Sequence, residues 1–200
     1  MVLGVLKEGI DAALHPSKGT KQKMTVLDAL AFYYKFSLIP LILLVVVSLI
    51  VVNILPQAAT QLSQLGPSGG IFIAVALVFY LWLAIPIGLL VESLLYHIIG
   101  KVLGFFKGTY SDTFTAVVFS ALPVIGLVWL IFIPLLGSVI VFVASIWSIY
   151  VISVAFSNQH KTTVLNGFLV WLVLFIVAII LVALVASALQ SALGTLPQAA

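Results

Sequence analysis

Apolar residues in this chain come in long runs, at 34–55, 71–99, 113–133, 134–156 and 164–189, broken by short polar or turn-rich stretches. A helix rises about 1.5 Å per residue and about 20 apolar residues cross a bilayer, so each run predicts a membrane-spanning helix. The third and fourth runs abut. Read as one helix, residues 113–156 would extend about 65 Å, roughly twice the hydrocarbon thickness, so the chain must turn back near Pro134 and Gly137 in "IFIPLLGS". The pattern therefore predicts an all-α integral membrane protein of five transmembrane helices within residues 34–193. An N-terminal segment, 1–33, and a short tail, 194–200, flank it.

Before the first run, "MVLGVLKEGIDAAL" gathers Leu3, Leu6, Ile10, Ala13 and Leu14 on one helical face, opposite Lys7, Glu8 and Asp11. This predicts an amphipathic helix, either lying in the membrane interface or packed on the end of the bundle. Thr25 to Asp28, "TVLD", has the form of a capped start for the helix that becomes the first span.

Charge adds orientation. All eight basic residues are lysines: 7, 18, 21, 23 and 35 precede the first span, 101 and 107 follow the second, and 161 follows the fourth. Short cytoplasmic loops collect Lys and Arg, so this partition predicts a cytoplasmic N-terminus and an outside C-terminus, with every lysine on one side. Composition agrees with the membrane reading: of 200 residues, 64% are hydrophobic and 6% charged, too few charges to clothe a water-soluble domain. Mean hydropathy is +1.38. The net charge of +3 is too small to argue for nucleic acid, the N-terminus lacks the pattern of a cleavable signal, and without cysteine there is neither disulfide nor thiolate chemistry. The placement is a cell membrane.

Candidate chemistry is sparse. No phosphate loop, zinc-spaced His motif or cofactor fingerprint occurs, so no catalytic residue, metal or cofactor is assigned. Ser93 and His97, one helical turn apart, are the nearest approach to a nucleophile and base. The sharpest polar features are Glu92 and His97 in "LLVESLLYHIIG", with Lys101, Asp112 and His160 as companions at the same membrane level. A carboxylate in a span is costly unless neutral or paired and is by default a functional hypothesis. Two readings stand: Glu92 forms an interfacial salt bridge with Lys101 or an N-terminal lysine, or Glu92 and His97 relay a proton or cation. Pro40, Pro86 and Pro123 predict kinks whose freed carbonyls must be satisfied by neighbours. Ala144 with Ser148, and Ala183, Ser187 and Ser191, form small-residue faces for helix packing within the chain or in a homo-oligomer. "LPQAA" occurs at 55–59 and again at 196–200, a shared way to end a helix rather than a duplication.

The C-terminal half resembles the YIP family, small multi-span proteins whose eukaryotic members interact with Rab-type GTPases in membrane traffic. The resemblance is carried by His97 before a loop containing Gly104 and Gly108, the "SALP" of 120–123, and Trp147 followed by His160. It implies a five-span bundle with a cytoplasmic N-terminus. The long N-terminal region and the Tyr-Gly-Pro and Gly-Tyr signatures of eukaryotic members are absent here, so the chain is similar to the compact prokaryotic branch.

These readings lead to a non-enzymatic membrane protein that organises protein or lipid partners at the inner face of the bilayer. The alternative is a small cation or proton transporter using Glu92 and His97.

Overall fold

The computed structural model describes residues 2–54, 75–76, 78–133 and 135–194. Among them all regular structure is helical. The elements are α1 (Val2–Leu14), the short α2 (Pro16–Gly19), α3 (Val26–Ile54), a π-helical turn (Tyr80–Ala84) leading into α4 (Ile85–Val102), α5 (Tyr110–Leu127) tightening into a 3-10 turn (Val128–Phe132), α6 (Leu136–His160) and α7 (Val164–Gly194). Among the described residues five segments are long and apolar enough to cross a membrane: Val26–Val47, Tyr80–Val102, Tyr110–Phe132, Leu136–His160 and Val164–Ser191.

The helices start and stop where local chemistry satisfies their ends. α3 begins at Val26 rather than at Tyr34 because Thr25 and Asp28 form a capping box: the Thr25 hydroxyl donates to Asp28 Oδ2 at 2.7 Å, and the Asp28 N–H donates to Thr25 Oγ1 at 3.2 Å. α5 likewise begins at Tyr110, ahead of the expected Thr113, because Thr109 and Asp112 form a second box. α4 runs past Ile99 to Val102 and closes with Gly104 at φ 72°. The N–H of Phe105 reaches the Gly100 carbonyl and that of Gly104 the Lys101 carbonyl, a Schellman closure that needs the left-handed glycine. α6 continues beyond Phe156, so Ser157 to His160, expected in a loop, form its last turn. Lys161 at φ 53° ends it, its N–H bonded to the Ser157 carbonyl.

The turn between the third and fourth spans falls where it was expected. Leu135 takes φ 62° and Gly137 packs on the Leu130 carbonyl with no room for a Cβ. Pro134, residues 55 and 71–74 of the expected spans, the tail after Gly194 and both "LPQAA" segments lie outside the described residues.

α5 is the central helix. It touches α1, α3, α4 and α6, and Phe114, Val117, Phe119 and Leu122 are essentially inaccessible. α7 is peripheral, packing on α6 and α4 with only 6% of its apolar window buried inside the chain. Ala183, Ser187 and Ser191 lie on its exposed far half, their serine hydroxyls bonded to its own backbone. Ala144 is buried in α6.

α1 packs against α3 and α5. At about 100° per residue its surface divides into three arcs. Gly9, Ala12 and Ala13 are buried against the bundle; Leu3, Ile10 and Leu14 form an exposed apolar stripe; Lys7, Glu8 and Asp11 are exposed on the third arc. The buried ridge is thus made of small residues rather than the leucines, because a close approach to Phe36 leaves room only for Gly9.

Pro86 explains the π-helical turn. Proline has no N–H, and its ring crowds the preceding turn. The Ile85 N–H bonds back five residues to the Tyr80 carbonyl, and the carbonyls of Leu81 and Trp82 then lack the amide that Pro86 cannot supply. α3 provides the replacements: Tyr33 OH donates to the Leu81 carbonyl at 2.5 Å and Tyr34 OH to the Trp82 carbonyl at 3.1 Å. Pro40 and Pro123 sit within α3 and α5, both buried.

Removing the Tyr33 hydroxyl strands a buried carbonyl, so Tyr33→Phe is expected to cost about 1–3 kcal/mol of stability in detergent. In a Pro86→Ala background the restored amide takes over, and the cost shrinks. Equal costs in the two backgrounds, read from unfolding midpoints, would refute this account of the turn.

Candidate functional site

Polar side chains collect at the end of the bundle that carries Lys101, Lys107 and Lys161. Three consecutive residues close α6, and each holds a different part of the chain. Asn158 Nδ2 donates to the Thr20 hydroxyl at 2.7 Å and to the Pro16 carbonyl at 3.3 Å. Gln159 Nε2 donates to the carbonyls of Thr20 and Gln22 at 2.7 and 2.8 Å. The N-terminal segment between α1 and α3 is therefore fixed through its own backbone.

His160, 1% exposed, holds the loop between α4 and α5. The Gly108 N–H donates to its Nδ1 at 3.1 Å, and its Nε2 lies 3.0 Å from Thr113 Oγ1. Thr113 Oγ1 in turn lies 2.7 Å from His97 Nδ1. One direction is consistent with all three bonds. An Nδ1 that accepts from Gly108 leaves the His160 proton on Nε2, which donates to Thr113; the Thr113 hydroxyl then donates to His97 Nδ1, and His97 carries its proton on Nε2. Phe106 stacks flat on the His160 ring, centroids 3.9 Å apart and planes 3° from parallel. Gly108 is needed for the close approach, since a Cβ there would meet Asp112 Oδ2 at 2.5 Å and His160 Nδ1 at 2.7 Å.

Asp112, 7% exposed, has two tasks. Its Oδ2 accepts from the Thr109 N–H at 2.7 Å and from the Thr109 hydroxyl at 3.0 Å, capping α5, while its Oδ1 lies 3.1 Å from Lys23 Nζ. This is the one ion pair among the described residues. The Lys23 side chain is 62% exposed, so water weakens the pair to about 1 kcal/mol or less. The carboxylate matters mainly as a cap.

Of the residues singled out by sequence, the structure brings His97, Asp112 and His160 into this cluster and leaves Lys101 exposed at its edge. Glu92 is elsewhere. Five residues separate it from His97, about 140° around α4, and nine separate it from Lys101, which lies on the opposite side and about 14 Å further along the axis. Helical phase thus keeps Glu92 from both partners. It lines two clefts beside Tyr96 and Trp171. Ser93 bonds Tyr110 OH and the Leu90 carbonyl rather than His97.

Sequence reading missed Thr113, Phe106 and the pair Asn158–Gln159, and marked Gly108 only through the family resemblance. "TYSD" had the same capping form as "TVLD" and marked the start of α5, but nothing in one sequence pairs Thr113 with two histidines. Among the described residues no three His, Cys, Asp or Glu side chains come together as a metal would need.

A bundle of five membrane-length helices, stitched at one end by buried polar side chains, defines a multi-pass membrane protein. Residues 12–187 match the profile of the Yip1 domain, and the chain belongs to that family. The match takes in the N-terminal segment from Ala12 onward, the first four spans and the fifth as far as Ser187. No curated protein and no solved structure shows significant similarity to the chain.

If His160 holds the loop, His160→Phe keeps a ring on Phe106 but strands the Gly108 amide. Stability is expected to fall by about 1–3 kcal/mol, and amide hydrogen exchange in residues 103–109 to accelerate. Unchanged protection in that loop would show that something else holds it.

Proposed function

We propose that this Yip1-domain protein is a non-enzymatic organiser of the cell membrane whose lysine-bearing end faces the cytoplasm and engages anionic partners, acidic protein segments or headgroups. The observation that carries the reading is a rigid basic platform. Lys18 and Lys21 are exposed on the segment clamped by Asn158 and Gln159, Lys107 on the loop clamped by His160, and Lys161 directly after α6. None of the four forms an ion pair among the described residues. Such lysines contribute roughly 1 kcal/mol each toward an anionic surface, screened by salt. Because the backbone beneath them is already ordered, binding loses little conformational freedom. The cytoplasmic orientation rests on the lysine partition.

The transport reading would join Glu92 to His97. Their separation around α4, and the use of both His97 Nδ1 and His160 in structural hydrogen bonds, give it no support.

The protein reconstituted in neutral nanodiscs is expected to bind vesicles containing anionic lipid or a polyglutamate peptide. Binding should weaken with salt and, at low salt, fall by up to about a thousandfold, the equivalent of about 4 kcal/mol, when Lys18, Lys21, Lys107 and Lys161 are all changed to Gln. Failure to bind either probe would overturn the platform. So would cation flux into liposomes that disappears in Glu92→Gln.

A further inference from the structure

Glu92 is a carboxylate inside a span, half-buried, with no ion pair among the described residues. Two clefts meet at it, and Glu92, Tyr96 and Trp171 line both. The first, about 570 Å³, follows α4 and α7 past Gly88, Leu174 and Ala178. The second, about 360 Å³, follows α5 and α6 past Ser120, Ser148 and Phe142. Along α4 and α6 these residues run toward lower numbers and along α7 toward higher ones, so both clefts lead away from Lys101 and Lys161 along the apolar flank of the spans. Trp171, stacked in a row between Phe168 and Phe175 at centroid distances of 5.7 and 5.2 Å, stands where they part.

Acceptors predominate among the polar atoms at the junction: the Glu92 carboxylate and the serine oxygens outnumber the Tyr96 hydroxyl and the Trp171 indole N–H. Ser120 Oγ donates to the Val117 carbonyl at 2.7 Å and Ser148 Oγ to the Ala144 carbonyl at 3.0 Å. Their protons are committed, and only lone pairs are left for the cleft. No lysine or histidine lines either cleft. A ligand here must bring hydrogen-bond donors and positive charge.

We propose that Glu92 heads a binding site for a diacyl phospholipid with a primary ammonium headgroup, the ammonium at Glu92 and one acyl chain in each cleft. Charge complementarity selects a cation. The surplus of acceptors selects an ammonium with N–H groups over a quaternary one. Two clefts diverging from one polar point, the first lined beyond it by apolar residues and glycine and the second mainly by apolar residues with three serines, match two chains on one headgroup. A partner helix, about 10–12 Å across, would need a single wide groove. This site lies on the outer flank of the spans, where Gly88, Phe142 and Ala178 are exposed, and stands apart from the lysine platform.

Native mass spectrometry of the full chain, incubated with dioleoyl phosphatidylethanolamine, phosphatidylcholine or phosphatidylglycerol, tests the proposal. The expected result is one retained phosphatidylethanolamine per chain, favoured about tenfold over the other two, with the preference lost in Glu92→Gln. Ala178→Trp fills the first cleft away from the carboxylate and is expected to lose the bound lipid, which keeps the test decisive should Glu92→Gln fail to fold. Equal retention of the three lipids by the unaltered chain would overturn the site. So would an ethanolamine preference that survives Glu92→Gln, retention undiminished in Ala178→Trp, or a second copy of the chain in place of lipid. The variant with all four platform lysines changed to Gln is expected to keep its phosphatidylethanolamine, so loss of the platform and loss of this site read out separately.

Discussion

The hydrogen-bond chain from the Gly108 amide through His160 and Thr113 to His97 is the constraint on which the lysine-bearing end of this protein depends. Lipid tails are as apolar as leucine, so burial supplies little net attraction between helices in a bilayer. Association there falls to close packing and to polar contacts. His160 joins α4, α5, α6 and the α4–α5 loop through two ring nitrogens and one stacked face. Asn158 and Gln159, immediately before it, join the N-terminal segment to the same helix end. One turn of α6 therefore fixes most of the non-helical backbone at that end, and buried polar groups left without partners would cost more than the bonds themselves contribute.

The same rule governs the region around Pro86. A proline in a span frees carbonyls that neither water nor lipid satisfies, and the structure answers with a π-helical turn and two tyrosine hydroxyls from α3. The two devices share a logic. In each, an irregularity in one helix or loop is satisfied by side chains from a neighbour, and the pairing fixes how the two pack.

The five helices and their order were legible because their signal, runs of about 20 apolar residues, depends on the solvent rather than on contacts. The capped start of α3 was legible because Thr25 and Asp28 act within one turn. The end of α6 was not: "SNQH" reads as a polar loop, and only the contacts of Asn158, Gln159 and His160 with segments far away in sequence keep it helical and buried. Tyr33 and Tyr34 were opaque for the same reason, since their hydroxyls are used against carbonyls 48 residues away. Glu92 and Lys101 looked like partners because sequence distance was read as proximity along the helix. Phase around the helix, set by the nine-residue spacing, turns them apart.

That phase also assigns the two faces of α4 different chemical capacities. On the His97 face the donors and acceptors of the chain are consumed in pairs. Proton uptake on the accepting nitrogen of His160 would set two donors against each other at Gly108, so the arrangement resists changes of protonation rather than passing protons along. On the Glu92 face the balance is reversed. Acceptors outnumber donors there, the neighbouring serines have spent their protons on their own helices, and the clefts open away from the charged end. A helix that must both hold a bundle together and meet something in the bilayer can do so when satisfied polar groups occupy one side and an incomplete set occupies the other. In α4, Glu92 lies on the incomplete side.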